Sequence, residues 1–131
     1  MRTSPAGLDL VDVTITTQDG KKHVFTSEVA RTLEQQSRGL MFRQSLEPNE
    51  AMIFLYPAPD LLGFWMKNTY IPLDIVFIRE DGTIARIEEQ ALPMSLQPIS
   101  SQEPAVAALE IPGGRSAELG IQPGDMVRWD D

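Results

Sequence analysis

Seven prolines, Pro57, Pro59, Pro72, Pro93, Pro98, Pro104 and Pro112, cut the second half of the chain into short apolar runs. A proline has no amide hydrogen to give to a ladder, so it sits at strand ends, at edges or in loops. Intervals of about ten residues between such points fit short strands of an antiparallel sheet far better than a repeated βαβ unit. Residues 51–56, 64–70, 73–79, 83–89, 106–111 and 126–129 have the β-branched and aromatic content of strands, and Asp81 with Gly82 marks a hairpin.

The first half tells the same story by alternation. Val11, Val13 and Ile15 face one way and Asp12, Thr14 and Thr16 the other, the pattern of a half-buried strand. Asp19 and Gly20 supply a tight turn, so residues 21–30 return antiparallel. Thr32 precedes Gln35 by three positions, the spacing of a reciprocal helix cap, and Gly39 follows. A short helix is predicted over 33–38, held by packing from Leu40, Met41 and Phe42. Residues 116–119 read as one helical turn, and 122–125 as the turn before the last strand. The expected fold is mainly β (α+β): a single antiparallel β-barrel-like or curled-sheet domain with one or two short helices, spanning 9–131 after an N-terminal extension, 1–8.

Nineteen acidic side chains against eleven basic ones leave a formal charge of -8, and the longest basic run is Lys21 with Lys22. A phosphate backbone demands a concentrated positive patch, so nucleic acid is not an expected partner. No cysteine is present, which removes disulfides, thiol nucleophiles and thiolate metal sites, and a single His disfavours zinc and iron sets. No metal and no cofactor are expected. No apolar run reaches the roughly 18 residues of a membrane helix, so membrane insertion is not expected either. Residues 1–7 lack the apolar core of a signal peptide, a segment that processing removes, so export stays open.

Catalytic motifs are sparse. There is no G-x-S-x-G elbow, phosphate loop, H-E-x-x-H or EF-hand loop. His23 follows a hairpin beside two lysines and reads as a strand residue. Glu88 and Glu89, as strand neighbours, point to opposite faces, and Asp130 with Asp131 reads as solvated charge. Gly113 and Gly114 turn a corner before the helical turn, with amides and Arg115 that would suit an anion. The stretch LGIQPGDMV is a structural turn.

FWMKNTYIPLD, residues 64–74, is the most informative segment. Strand alternation would put Phe64, Met66 and Asn68 on one side and Trp65, Lys67 and Thr69 on the other. Asp74 lies within an apolar run and must be paired or hydrogen-bonded, with Lys67, Arg38 and Arg43 as candidate partners. Either the charges form a structural ion pair, or they orient a small polar ligand against the face of Trp65.

From Phe25 to Val127 the chain resembles the family catalogued as Domain of Unknown Function 192, through RGLMFR (38–43), AMIFLY (51–56), FWMKNTYIPLDIVFI (64–78), Asp81–Gly82, Pro93, LEIPGG (109–114) and GIQPGD (120–125). Ala51 and Met52 stand where the family more often has GM. The resemblance implies a β-rich domain, often preceded in relatives by an export signal, with no established activity, cofactor or substrate. It singles out Arg38, Arg43, Trp65, Lys67, Asn68, Asp74 and Glu110 as candidate binding residues.

Three functions are open at this level. The leading one is a non-catalytic domain, of the cell envelope if exported, that binds a small polar molecule or a protein partner through the polar cluster. The second is a hydrolase or lyase using Asp74 or Glu110 with Lys67 and Arg38, which requires the carboxyl group to face a cleft. The third is an accessory or assembly protein acting through loops that carry Leu61 and Leu62.

Overall fold

The structure, a computed structural model describing residues 2–131, begins with the predicted hairpin. Strand β1 (Leu10–Thr16) buries Val13 and Ile15 and pairs antiparallel with β2 (Lys22–Ala30). Between them Gly20 takes the positive φ that the turn requires, +85°. Helix α1 (Leu33–Arg38) has the predicted bounds and cap. The Gln35 amide donates to Thr32 Oγ1 at 3.0 Å, and the Thr32 amide donates to Gln35 Oε1 at 3.2 Å. No side chain of α1 is buried. Instead Gln36 Nε2 donates to the carbonyls of Ala30 and Leu55, pinning the helix to the end of β2 and the strand that follows it, and buried Leu40 comes next.

The excursion through α1 leaves β2 at Ala30 and carries the chain back to re-enter the sheet opposite Thr26. Strand β3 (Glu50–Asp60) therefore runs parallel to β2, a departure from the all-antiparallel expectation. The remaining elements are β4 (Gly63–Phe64), β5 (Leu73–Ile78), β6 (Ile84–Ala91), β7 (Ile99–Ser100), β8 (Ala105–Pro112), α2 (Arg115–Leu119) and β9 (Met126–Trp129). The main sheet has the order β6-β5-β8-β3-β2-β1-β9, and β4 with β7 forms a small second sheet. The main sheet curls until its outer strands meet: Thr83 bridges Met126, and the Val127 amide donates to the Gly82 carbonyl at 2.8 Å. A curl of this kind shields edges that a flat sheet would leave open.

Two apolar cores follow from strand alternation. Val13, Ile15, Phe25, Ile53, Val76 and Leu109 fill the inside of the curl. Met52, Phe54, Ile75, Phe77 and Ala108 face outward and are roofed by Leu40, Leu62 and Met66. Strand β5 is covered on both faces, which explains its unbroken apolar run. Phe64 packs edge-on against Phe54, with ring centroids 5.0 Å apart, and tilts over Phe77 at 5.8 Å.

The segment expected as a strand over 64–70 is not one beyond Phe64. Trp65 to Tyr70 form turns in which Asn68 has φ +55° and the Thr69 amide donates to the Met66 carbonyl at 3.1 Å. Asn tolerates the left-handed region, and a turn there buries Met66 and Thr69, three apart, while leaving Trp65 and Lys67 exposed. The predicted two-sided alternation therefore does not hold. The N-terminal extension is tied down: Thr3 bridges Asp9 and Ser4 Oγ donates to Glu28 at 2.6 Å. Among the described residues, no helix is long and apolar enough to cross a membrane.

Gly113 is a close-approach glycine. A Cβ there would lie 2.9 Å from Pro72 Cβ and 3.0 to 3.1 Å from the Pro72 carbonyl group. Gly113→Ala must push backbone apart and is expected to cost about 1–3 kcal/mol, read as a lower urea midpoint. An unchanged midpoint would mean that the β5 and β8 ends are slack.

Candidate functional site

Asp74 sits on β5 with no solvent exposure, and its neighbours are amides rather than cations. Oδ1 accepts from the amides of Gln90 at 2.8 Å and Gly114 at 3.0 Å. Oδ2 accepts from the amide of Ser116 at 3.0 Å and from its hydroxyl at 2.5 Å. The predicted pairing with Lys67, Arg38 or Arg43 is thus overturned. The amides near Gly113 and Gly114 do take a carboxyl group, but it is the protein's own: Asp74 ties β5 to the end of β6 and the start of α2. No cleft reaches it, so the enzyme reading that used Asp74 fails.

Arg43 is also engaged elsewhere. It makes a bidentate ion pair with Glu28 on β2, at 2.8 and 3.1 Å, with Glu28 only 7% exposed. Planar guanidinium–carboxylate pairing of this kind has a fixed geometry, and here it locks the segment after α1 onto β2.

The other five candidates converge. A cavity of about 290 Å³ opens between α1 and the turns after β4, with Arg38 and Trp65 at its mouth and Glu110 in its lining. A shallower hollow of about 450 Å³ continues outward past the same Arg38 and Trp65 to Lys67 and Asn68. Trp65 is 48% exposed, and Lys67 Nζ lies 5.1 Å from its ring centroid. The Arg38 guanidinium rests 5.5 Å from the Phe42 ring. Among the described residues, neither Arg38 nor Lys67 has an acidic partner within salt-bridge distance, although Glu34 borders the outer hollow.

Glu110 supplies the unusual chemistry. Strand alternation on β8 turns it to the same face as Ala108, between Met52 of β3 and Ile75 of β5. It is 4% exposed, yet its carboxyl group makes no hydrogen bond or ion pair among the described residues. Burial without compensating charge holds that carboxyl far above the usual range, at about 8, so it is mostly protonated at neutral pH. Tyr56 lines the same cavity. Burial first, and Glu110 second, push its phenol up to about 12.

Tyr56, Gln36 and Thr69 join the cavity lining without having been singled out from sequence. Tyr56 had a legible signal, since it continues the Met52, Phe54 alternation on β3. Gln36 depends on how α1 is seated over β2 and β3, and Thr69 on the turn geometry. Of the leucine pair offered as a contact surface, only Leu61 is exposed, whereas Leu62 is in the core. Glu88 pairs with Arg86, and Asp131 with Arg31. Among the described residues no three His, Asp or Glu side chains are grouped to hold a metal ion.

Comparisons with known proteins agree with this architecture. A solved structure of a protein of unknown function from Novosphingobium aromaticivorans is 48% identical, with a TM-score of 0.94 over 98% of this chain and 91% of that one. One from Sinorhizobium meliloti, proposed as a transcription regulator, is 38% identical, with a TM-score of 0.91 over 93% and 95%. None of the curated proteins compared with this chain matches it. The model of Domain of Unknown Function 192, described as an uncharacterized ACR family, matches residues 14–129. With nearly its whole length covered, this chain belongs to the family of Domain of Unknown Function 192.

Proposed function

We propose that this chain is a non-catalytic binding domain that takes a small polar molecule in the groove between α1 and the turns at 65–70. The observation that supports it is Glu110: a nearly buried hydrogen-bonding group that no described side chain or backbone group uses, in the lining of a cavity with an open mouth. Its oxygens keep some solvent contact at the cavity, since the side-chain atom left fully buried without a partner among the described residues is His23 Nε2, so a ligand that fills the cavity must supply the hydrogen bond that solvent gives there. Trp65 at the mouth offers an aromatic face for ring compounds.

Intrinsic fluorescence tests this directly, because the chain has two tryptophans and Trp129 packs on the inner core instead. Titration with sugars, nucleotides and short peptides is expected to give a saturable change in wild type and in Trp129→Phe, and none in Trp65→Phe. Silence of the wild type across the whole panel, with no shift in thermal unfolding, sinks the proposal.

A hydrolase or lyase reading has one point in its favour, an acid at about 8 in a cleft, where proton donation at neutral pH is efficient. Against it, the titratable side chains sharing the cavity with Glu110 are only Arg38 and Tyr56 among the described residues. Neither is a base near neutral pH, so acid–base catalysis would have one half of its pair. A regulator's role of the kind proposed for the Sinorhizobium relative is disfavoured here, because a formal charge of -8 opposes binding to DNA.

A further inference from the structure

The two ends of the groove differ in chemistry. The inner end holds Glu110 and the phenol of Tyr56, two O–H groups, against the apolar walls of Phe54, Phe64 and Leu73. The outer end holds Arg38 and Lys67. In a chain with eight more acids than bases, most other cations are matched, Arg43 with Glu28 and Arg79 with Glu103 among them. Two cations at one mouth without a carboxylate on either leave a local positive site on a negative protein. Glu34 on the rim of the outer hollow reduces that field but pairs with neither. The space is that of a small molecule, about ten water volumes in the inner cavity.

Resting on the binding reading above, we propose that the groove selects small organic anions: ring compounds with a carboxylate or phosphate at one end and a neutral hydroxyl or carbonyl oxygen at the other. The anionic group lies between Arg38 and Lys67, the ring lies on Trp65, and the neutral oxygen reaches Glu110. A cationic or uncharged molecule of the same shape leaves both cations without a partner. A second anion at the inner end would meet the Glu110 carboxyl in apolar surroundings and is rejected.

The test uses two ring series that share a ring and vary the charge of one substituent, read by calorimetry and by Trp65 fluorescence on the full chain. One series is glucose, glucuronate, glucose 6-phosphate and glucosamine. The other is 4-hydroxybenzyl alcohol, 4-hydroxybenzoate, 4-hydroxyphenyl phosphate and tyramine. In at least one series the anions are expected to bind about ten-fold or more tightly than the neutral and cationic members, with affinity falling as salt rises. The carboxylate and phosphate arms show which anion fits better. Arg38→Gln and Lys67→Gln should each weaken the anion about five-fold or more, and Glu110→Leu should do so where Glu110→Gln, a neutral hydrogen-bonding replacement, does not. Both cations are at the mouth, so their variants fold, and circular dichroism checks this. If neutral or cationic members bind as well as the anions, this inference fails and the groove reading stands. If neither series binds up to tens of millimolar, this inference fails, and the wider panel decides the groove reading separately.

Discussion

Asp74→Asn is expected to lower the unfolding free energy by about 3 kcal/mol, and Asp74→Ala by about 5, in urea denaturation at neutral pH. Asn keeps one oxygen for the amides of Gln90 and Gly114 but turns an NH₂ group toward the amide of Ser116, where two donors then face each other in a site without solvent. Ala abandons three amides and a hydroxyl at once. Hydrogen bonds to a charged group are worth about 1.5–3 kcal/mol each, and an orphaned buried donor adds its desolvation cost. Lys67→Met is the matched control. Lys67 is exposed and is not among the groups bonded to Asp74, so its midpoint should stay within about 0.5 kcal/mol of wild type. A large loss on Lys67→Met with none on Asp74→Asn would reverse these roles.

The second large effect is a dependence of stability on pH. The Glu110 carboxyl is raised from 4.5 to about 8 in the folded protein, so the folded state keeps a proton that the unfolded chain gives up. The stabilisation that this proton reflects is complete below about pH 4.5, shrinks steadily as pH rises toward 8, and is gone above it. The total is on the order of 5 kcal/mol. The exposed acids Asp19, Asp81, Glu103 and Asp131 are shifted down by hydrogen bonds to Thr17, Thr83, Arg79 and Arg31, so their contributions are lost only as pH falls below the ordinary carboxylate range. The two windows do not overlap, and maximum stability belongs near pH 5. Glu110→Gln has no proton to lose and should flatten the curve from pH 5 to 8, becoming more stable than wild type at the alkaline end. Parallel curves for the two proteins would mean that Glu110 is solvated.

How much of this was legible in the sequence depends on how local the determinant is. The bounds of α1 follow from Thr32, Gln35 and Gly39, which act within one turn of helix, and the β1–β2 hairpin follows from Asp19 and Gly20 in the same way. Glu110 could be placed opposite the inner core by period-two alternation alone. Asp74 was correctly seen to need partners, but a list of side chains cannot show that backbone amides forty residues away will converge on it. The run at 64–70 misleads for another reason. Its aromatic and apolar residues have strand propensity, yet burial of Met66 and Thr69 on one side of a turn outweighs it, and alternation is a poor guide once the ladder ends. The same turn is what sets Trp65, Lys67 and Asn68 beside Arg38, so the site depends on the one segment whose pattern pointed elsewhere.

The position of β8 between β3 and β5 has a consequence for how the protein is made. During synthesis β3 and β5 emerge well before the strand that joins them, and each must wait with a bare edge until residues 105–112 clear the ribosome. The groove waits as well, because Glu110 arrives on that last central strand. No earlier stretch of the chain holds the join, so although β1 to β3 and β5 with β6 can pair beforehand, completion of the sheet waits on a late and distant encounter. Such a nascent chain spends its growth with two apolar, unpaired edges, the state in which a chaperone matters most.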